Sequence, residues 1–461
     1  MAVNTRSRWP ALPVLPDAAT DAVVASGLLP ELAHAFGGPF HFLLPDAFAA
    51  NLRSLQGTLE AAGVDGFIYY AKKANKAAVF VEQTAAHGAG LDVASVAELR
   101  EALGHGIRGE HLVVTGPAKD PALLRLAVTH SALIAVDALD ELDAVIAIAS
   151  AGHIRPARVL LRVLPPLQPH SRFGMTDGEL ATALERCRQA GEALRTEGFS
   201  FHLSGYALQP RADLAARLVE LCLKARVMGL EAGRISIGGG LPVSYTDADS
   251  WRVFLETQRP AHYHAGKSFD SGDFYPYHSP ESGAHALAAL LRARPQHAHG
   301  KTLAKILTDV GVELLLEPGR ALLDRAGATV FTVQGTKDRD GHQLLTVNGT
   351  SLSLSEQWFG SEYLPDPLLI PLVPLNPATA PGVFPASVGA ATCLESDMLT
   401  WRKIAFPQRP RPGDLLLYPN TAGYQMDSNE SPFHDLPLPP KVVVDRTDRP
   451  RPRWRLDRHF T

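Results

Sequence analysis

The feature that most constrains the fold is a regular alternation between about residues 45 and 325. Short apolar segments alternate there with amphipathic segments rich in Ala, Leu, Glu and Arg. Eight short segments have the character of strands, namely GFIYYA (66–71), GAGLDV (88–93), HLVVTG (111–116), ALIAVD (132–137), ARVLLRV (157–163), FSFHLSG (199–205), GRISIGG (233–239) and VELLLEPG (312–319). Eight strand–helix units in succession predict an α/β fold, a (β/α)8 barrel over residues 45–325. The amphipathic segment TDGELATALERCRQAG (176–191) opens with Thr and has Glu three residues later, which predicts a capped helix.

One interval is too long for a single strand–helix unit. It separates Gly240 from Glu317 by 77 residues. We therefore expect an insertion over the barrel mouth at about residues 246–300. Six histidines lie in this region, at His262, His264, His278, His285, His297 and His299. No cysteine is near and the spacing matches no closed zinc site, so we expect a solvated segment without a metal, with zinc as the alternative.

Beyond residue 325 the sequence changes character. Residues 328–349 contain two β-rich segments around the turn DRDG, which predicts a hairpin. Prolines then crowd residues 365–385, and the remaining apolar segments are short. We therefore expect residues 326–461 to form a second, mostly β domain.

Composition argues against several classes of function. The 461 residues are 46% apolar and carry a net charge of −4, so the overall charge favours neither nucleic acid nor an anionic membrane. The Arg-rich segment RTDRPRPRWRLDR alternates its arginines with acids, which is more typical of a solvated end than of a nucleic-acid site. Three sparse cysteines and the lack of a signal peptide or apolar span predict a soluble, cytoplasmic protein.

The ends of the predicted strands carry an unusual set of polar residues. Catalytic groups of a barrel lie at the carboxyl ends of its strands, where this chain has Lys72, Lys73, Asp92, Arg162, His202, Ser204, Gly238, Gly239, Gly240, Glu317 and Arg320. Consecutive glycines let backbone N–H groups approach an anion, and Arg320 adds positive charge for a phosphate. Pyridoxal 5′-phosphate (PLP) takes a lysine Schiff base, a phosphate cradle and an acid beside its pyridine nitrogen. The set therefore predicts a PLP site, with His202 available to stack on the ring.

Longer motifs match one family in order along nearly the whole chain. YYAKKAN (69–75) resembles that family's YAVKAN signature, and the match continues through LDVASVAEL (91–99), SRFGM (171–175), FHLSG (201–205), ISIGGGLPVSY (235–245), EPGR (317–320), CLESD (393–397) and NTAGYQM (420–426). The chain thus resembles the fold-type III, group IV PLP-dependent decarboxylases, which include diaminopimelate and ornithine decarboxylases, as a divergent member. The resemblance implies an alanine-racemase-like barrel, a β domain that also includes residues 1–44, and a homodimer with shared active sites.

The resemblance also implies a role for each matching residue. Lys73 matches the Schiff-base lysine, whereas Lys72 replaces a usual valine, and strand alternation directs it to the other face. The resemblance further implies that Glu317 pairs with the ring nitrogen, that His202 stacks on the ring, and that Asp92 and Arg162 lie around the Schiff base. It implies phosphate binding by Arg320, Ser204 and Gly238–Gly240. From a partner subunit, it implies that Tyr424 contacts the cofactor and that Cys393, or a nearby acid such as Asp397, returns a proton to Cα.

Each of these residues also has an ordinary structural interpretation. Lys73 can be a surface lysine, His202 a core histidine and Cys393 a buried filler, but the motif context favours the functional role. At the level of function, the alternatives are an amino-acid racemase and a non-catalytic homologue that binds a partner. The paired EPGR and CLESD motifs argue against the racemase, and the retained lysine and glycine loop argue against loss of catalysis.

Three departures from the family pattern bear on the substrate. The usual HxGS becomes HLSG, which exchanges serine and glycine at Ser204 and Gly205. Leu394 replaces the acid that usually follows the cysteine and reads the distal end of the substrate. The segment NGTSLSLSEQWFGSEYLP (348–365) lacks the arginine with which diaminopimelate decarboxylases bind the distal carboxylate. We therefore expect a different or larger amino-acid-derived substrate, such as a conjugate from a siderophore or secondary-metabolite pathway.

Overall fold

The computed structural model describes residues 9–151, 155–296, 299–356, 360–372, 382–445, 447–449 and 451–457. The proline-rich region and the Arg-rich segment therefore lie partly outside the described residues. Helices and strands are numbered along the chain, beginning with α1 (Ala18–Ala25), α2 (Leu28–Phe36), β1 (Phe40–Leu43) and α3 (Pro45–Ala61). Within the described ranges, no helix has the length and apolarity needed to cross a membrane.

Eight parallel strands close into a barrel, which confirms the predicted fold class. They are β2 (Gly66–Ala71), β3 (Gly90–Val93), β4 (Leu112–Val114), β5 (Leu133–Val136), β6 (Ala157–Arg162), β7 (Leu194–Ser200), β8 (Arg234–Ser236) and β9 (Glu313–Leu316). The intervening helices are α4 (Ala78–Ala86), α5 (Val96–Gly104), α6 (Pro121–Thr129), α7 (Leu139–Ala151), α8 (Asp177–Ala190), α9 (Leu208–Val227), α10 (Ala248–Thr257), α11 (Gly283–Arg292) and α12 (Leu303–Val310). Thr176 and Glu179 form the expected capping box at the start of α8.

Strand β7 departs from its predicted position. The sequence placed it at residues 199–205, but it begins at Leu194 and ends at Ser200. Its first half contains charged residues that resemble a loop, yet Glu197 is buried and binds Arg158 and Arg234 at 2.6 and 2.8 Å. Ion pairs thus replace apolar side chains at this end of the barrel.

The stretch between β8 and β9 combines exposed residues with segments that pack into the fold. Helix α11 packs between α3 and α9, so it belongs to the helical layer of the barrel. The preceding residues pack against the β domain through a buried aromatic cluster formed by Tyr263, Phe274, Tyr275 and Tyr277. His262 is also buried, whereas residues 265–268 and 270–272 are exposed, so the expected solvated insertion holds only for part of the segment. The aromatic residues between 263 and 277 were the signal for burial.

No group of three or more potential metal-ligating side chains is found among the described residues. His297 lies outside the described residues.

The second domain is built on a nine-stranded sheet that includes a strand from the N-terminal region. The strands that join β1 are β10 (Gly327–Arg339), β11 (His342–Val347), β12 (Leu368–Ile370), β13 (Phe384–Gly389), β14 (Met398–Phe406), β15 (Leu415–Tyr418), β16 (Lys441–Asp445) and β17 (Arg453–Leu456). Strands β10 and β11 form the predicted hairpin, with Arg339 paired to His342 across the turn. Asp340 and Gly341 both have positive φ, as a tight hairpin turn requires.

The β domain also caps a barrel helix. Helix α4 begins a few residues after Lys73, and no side chain caps it at Ala77. Asp457, which follows β17, accepts hydrogen bonds of 2.9 and 2.8 Å from the N–H groups of Ala78 and Val79. A carboxylate at a helix N-terminus satisfies unpaired donors and complements the helix dipole. The two domains are thereby joined next to Lys73.

We predict that Asp457→Ala lowers the free energy of unfolding by about 1–3 kcal/mol, because two buried N–H groups lose a charged acceptor. Urea denaturation followed by tryptophan fluorescence measures the change. Asp448→Ala, at an exposed position in the turn between β16 and β17, is the control and should leave the midpoint unchanged. Equal midpoints for Asp457→Ala and the control would show that the cap does not stabilise the fold.

Candidate active site

The three lysines after β2 point in different directions. Lys72–Ala74 form one turn of 3₁₀ helix instead of continuing the strand. Lys72 is buried, and its Nζ lies 3.1 Å from the Glu101 carboxylate on α5. Lys76 binds the β domain. Lys73 enters a cavity at the mouth of the barrel, so Lys72 and Lys73 separate as expected, although a helical turn and not strand alternation causes this.

The cavity that receives Lys73 has a volume of about 640 Å³ and is lined by segments that follow β2, β7, β8 and β9. Eight residues predicted from the sequence line it, namely Lys73, His202, Ser204, Gly239, Gly240, Glu317, Arg320 and Tyr424. Gly238 belongs to the same glycine loop, and Asp92 contacts Lys73 directly. The closed barrel therefore gathers most of the predicted set, although these residues are widely separated in the sequence.

A carboxylate on the neighbouring strand fixes the Lys73 ammonium. Lys73 Nζ donates a 2.6 Å hydrogen bond to Asp92 Oδ2, and Thr115 Oγ1 donates one of 2.6 Å to Asp92 Oδ1. The Lys73 side chain is 47% exposed, whereas that of Asp92 is buried. Desolvation within the cavity opposes the charged form of the amine, but Asp92, with further contributions from Tyr424 and Glu317, raises the pKa of Lys73. The amine is therefore protonated and held toward β3.

Glu317, just after β9, shows a second electrostatic feature of the cavity. Ser236 Oγ donates a 2.5 Å hydrogen bond to Glu317 Oε1. Burial, with a further contribution from the negative charge of Asp92, raises the pKa of Glu317 to about 7. This carboxyl can gain or lose a proton near neutral pH.

His202 presents a neutral, flat ring to the same cavity. It follows the end of β7, and a Cβ at Gly238 would lie 3.1 Å from its Nδ1, so the glycine leaves room for the imidazole. Although His202 is exposed to the cavity, desolvation by the surrounding protein, with the positive charge of Lys73 as a further cause, lowers its pKa below the usual value. An uncharged ring of this kind is suited to stacking on an aromatic cofactor.

The glycine loop after β8 is tightly packed and leaves backbone donors free. A Cβ at Gly239 would lie 2.7 Å from the backbone oxygen of Glu317, so a side chain is excluded there. Gly240 has a φ of +81°, which glycine adopts at little cost. Across the ranges that the structure describes, the N–H groups of Gly239 and Gly240 donate to no protein acceptor. These N–H groups are therefore available to an anion in the cavity.

Arg320 lines the cavity but is already paired with an acid. Its Nη1 and Nη2 each lie 3.3 Å from a carboxylate oxygen of Glu356, and Nη1 donates a 3.0 Å hydrogen bond to Tyr245. Its guanidinium also packs over the rings of Tyr275 and Tyr424. Glu356 thus balances the charge of Arg320. The predicted phosphate contact of Arg320 stays a prediction.

Arg162 stands behind the cavity and is not among the residues that line it. Its Nη1 donates a 3.1 Å hydrogen bond to Asp137 Oδ1, and its guanidinium lies 4.4 Å from the centre of the Phe173 ring. The predicted contact with the Schiff base therefore stays a prediction.

Tyr424 reaches the cavity from its own chain, which corrects the expectation that a partner subunit provides it. Its backbone N–H donates a 2.8 Å hydrogen bond to the carbonyl of Ala74, next to Lys73. A Cβ at Gly319 would lie 2.7 Å from the Tyr424 hydroxyl, so this glycine makes room for the phenol. Backbone bonding between the segments around Ala74 and Tyr424 sets this arrangement within one chain.

Cys393 and Asp397 do not line the Lys73 cavity. Cys393 is exposed on a loop of the β domain. Asp397 is buried, and its carboxylate accepts hydrogen bonds from Ser351 N at 2.8 Å and from Thr392 Oγ1 at 2.6 Å. Through these hydrogen bonds, Asp397 stabilises the loop on which Cys393 is exposed. The catalytic roles of both residues stay predictions.

The groups around the cavity fit PLP. They combine an amine, a glycine loop with free N–H groups, a carboxyl that titrates near neutral pH and a flat neutral ring. Residues 48–273 match the family model described as pyridoxal-dependent decarboxylase, pyridoxal binding domain. A protein of Sinorhizobium fredii, uncharacterized protein y4yA, is 40% identical over 448 residues, which cover 95% of each chain. The chain belongs to the pyridoxal-dependent decarboxylases.

Other relatives of this decarboxylase extend the comparison. The diaminopimelate decarboxylase of Deinococcus radiodurans is 26% identical over 427 residues, or 90% of this chain and 92% of the relative. The crystal structure of the Helicobacter pylori diaminopimelate decarboxylase complexed with L-lysine has a TM-score of 0.69 and 17% identity, and the match covers 91% of this chain and 93% of that chain. The similarity to the solved structure shows the fold. The predicted family and PLP cofactor are confirmed.

The sequence analysis missed three residues of the decarboxylase site, namely Thr115, Ser236 and Glu356. Ser236 lies two residues before Gly238, on a short barrel strand, and Thr115 directly follows β4. Both positions had a signal, since polar residues near the carboxyl ends of barrel strands face the site. Glu356 had none, because it lies 36 residues beyond Arg320 in the second domain.

The raised pKa of Glu317 makes the stability of the cofactor-free decarboxylase depend on pH. A buried carboxyl with a raised pKa stabilises the fold fully below its unfolded pKa, and this contribution is lost as pH rises through about 7. Glu317→Gln removes the titration. Between pH 5 and pH 8, we predict that the free energy of unfolding of wild type falls by about 2–3 kcal/mol relative to that of Glu317→Gln.

Chemical denaturation of both proteins at each pH measures this difference. The raised pKa of Glu362, also about 7, contributes equally to both proteins and cancels. A wild-type-minus-variant difference that does not change between pH 5 and pH 8 would disprove the assignment.

Proposed function

We propose that this PLP-dependent decarboxylase removes CO2 from an amino acid or an amino-acid-derived substrate, with Lys73 as the amine that attaches the cofactor. The observation that carries the proposal is the convergence of a charged Lys73–Asp92 pair and a titratable Glu317 on one cavity. A racemase and a non-catalytic binding protein are the alternatives that the experiments below distinguish.

The charge and position of each residue around the cavity determine its proposed role. When bound, PLP supplies the electron sink that accepts the electron pair of the broken Cα–CO2 bond. Glu317 would pair with the ring nitrogen of the cofactor. Asp92 would orient Lys73 Nζ, the amine that would attach the cofactor. His202 would stack on the ring, and the glycine loop would bind the phosphate through its N–H groups.

We also propose that the enzyme is a homodimer in which Cys393 of one copy completes the site of the other. Cys393 is exposed on a loop that Asp397 anchors, so a second copy can contact it. The resemblance to group IV decarboxylases supports this arrangement, in which the thiol returns a proton to Cα.

The substrate is proposed to differ from free diaminopimelate. Leu394, 52% exposed beside Cys393, stands where the family has an acid for the distal end of the substrate. The cavity wall includes Leu203, Leu241 and Pro276, the last of which comes from the enlarged β8–β9 connection. An apolar wall favours an uncharged distal group. A larger conjugate, of the kind made in siderophore or secondary-metabolite pathways, fits this wall.

Lys73→Ala should abolish both the visible absorption of the lysine-linked cofactor and CO2 release. Lys72→Met is the matched control, because Lys72 is adjacent but bonded to Glu101, and it should keep both properties. Absorption spectra before and after borohydride, together with a CO2 assay on a panel of amino acids and acylated amino acids, give the readout.

Each result of this experiment bears on one part of the proposal. Chiral inversion without CO2 release would establish the racemase. A colourless wild type with added PLP would establish the binding protein. Free diaminopimelate as the best substrate of the panel would disprove the substrate assignment alone.

Mixing two inactive variants tests the shared site. Lys73→Ala and Cys393→Ala subunits, mixed in equal amounts and allowed to exchange, should recover about one quarter of wild-type activity. Half of the dimers are then mixed, and each mixed dimer has one intact site of two. Cys393→Ala mixed with wild type is the control for inhibition by exchange. No recovery, despite exchange shown by mass spectrometry, would place Cys393 outside the partner's site.

A further inference from the structure

A buried arginine without an acidic partner lies behind the glycine loop. Arg211, in the first turn of α9, is 0% exposed. Its guanidinium donates hydrogen bonds to the carbonyls of Leu203 at 2.9 Å, Gly205 at 3.0 Å and Ile237 at 3.1 Å. No carboxylate in the described part of the chain forms an ion pair with it, and its Nε has no partner there. Arg211 therefore buries a positive charge that no acidic residue of the described ranges balances.

The guanidinium occupies the space behind the proposed phosphate cradle. A Cβ at Gly240 would lie 2.2 Å from Arg211 Nη2, so the guanidinium fills the place that a side chain would take. Gly240 and Gly205 both line the Lys73 cavity. Arg211 thus binds carbonyls of both loops, while the N–H groups of Gly239 and Gly240 have no protein acceptor in the described ranges. The positive charge of Arg211 therefore lies behind both loops, the one after β7 and the glycine loop after β8.

The two arginines near the cavity differ in whether an acidic residue balances their positive charge. Arg320 is paired with Glu356, whereas Arg211 is bonded to neutral carbonyls only. Burial lowers the pKa of Arg211 to about 10, which reflects the cost of the isolated charge. An unbalanced buried charge is strongly unfavourable unless a counter-ion is near. A phosphate dianion in the cradle is a counter-ion of the required sign.

We propose that Arg211 is a positioning residue that provides the counter-charge for the cofactor phosphate, acting through the Gly238–Gly240 loop and without direct contact. The inference rests on the proposed role of this loop as the phosphate cradle. It implies that Arg211 determines the preference of the site for PLP over pyridoxal, which has the same aldehyde and ring but no phosphate. It also implies that the bound phosphate stays dianionic to lower pH.

Binding of PLP and pyridoxal to the cofactor-free protein tests this role. Arg211→Gln should weaken PLP binding about tenfold to a hundredfold and change pyridoxal binding by less than about threefold, because only PLP has the charge that Arg211 balances. Phosphorus NMR of bound PLP should show a higher second pKa of the phosphate in this variant. Arg211→Lys, which keeps the charge, should retain most of the preference for PLP.

Arg226 offers a matched control on the same helix. It also donates to three backbone carbonyls, of Ala232, Val310 and Gly311, but it lies at the other end of α9. Arg226→Gln should leave the PLP-to-pyridoxal ratio unchanged.

The possible results separate a charge role from a merely structural one. Equal weakening of PLP and pyridoxal by Arg211→Gln would mean that Arg211 only supports the loops, and the inference would fail. If Arg211→Gln does not fold, loss of the PLP preference in Arg211→Lys would overturn the inference, and its retention would support it. A wild type that binds PLP no better than pyridoxal would overturn the phosphate cradle as well.

Discussion

The site depends first on how the β domain clamps the turn after β2. Asn75 is fully buried, its Nδ2 donates a 2.9 Å hydrogen bond to Ala422, and its Oδ1 accepts one from Ala77 at 2.9 Å. The Ala74 carbonyl accepts the bond from Tyr424. The same turn therefore sets the position of Lys73 and that of the phenol across the cavity. Asp92 holds the amine of Lys73 from within the barrel, and these bonds from the β domain hold the turn that carries it.

Within that frame, two carboxyls of one cavity serve different purposes. Asp92 is held between Lys73 and Thr115, so its negative charge is used to keep an ammonium in place. Among the described residues, the Glu317 side chain accepts a hydrogen bond only from the Ser236 hydroxyl, and burial and the charge of Asp92 make it bind a proton more readily. Neighbouring groups of the same chemistry thus acquire separate roles from their surroundings.

The repeated strand–helix pattern made the barrel predictable from the sequence. Ion pairs between residues far apart in the sequence could not be predicted. Strand–helix alternation identified the eight strands, because parallel strands buried on both faces are apolar. Strand β7 was misplaced because buried ion pairs at Glu197 make it polar. Motifs located Lys73, Glu317 and the glycine loop, but they could not reveal that Glu356 neutralises Arg320, since that partner lies in the other domain. The position of Tyr424 within its own chain likewise depends on packing between domains.

The clamp at Asn75 also has a consequence for biosynthesis. It joins residues 347 positions apart, and the Asp457 cap on α4 spans 379 positions. Contacts of such long range form late, since the ribosome must first release the distant segment. A nascent chain that has already made the lysine turn would still lack the bonds that fix it. Capture of the cofactor is therefore expected after synthesis of the second domain, so that a truncated chain would not retain PLP.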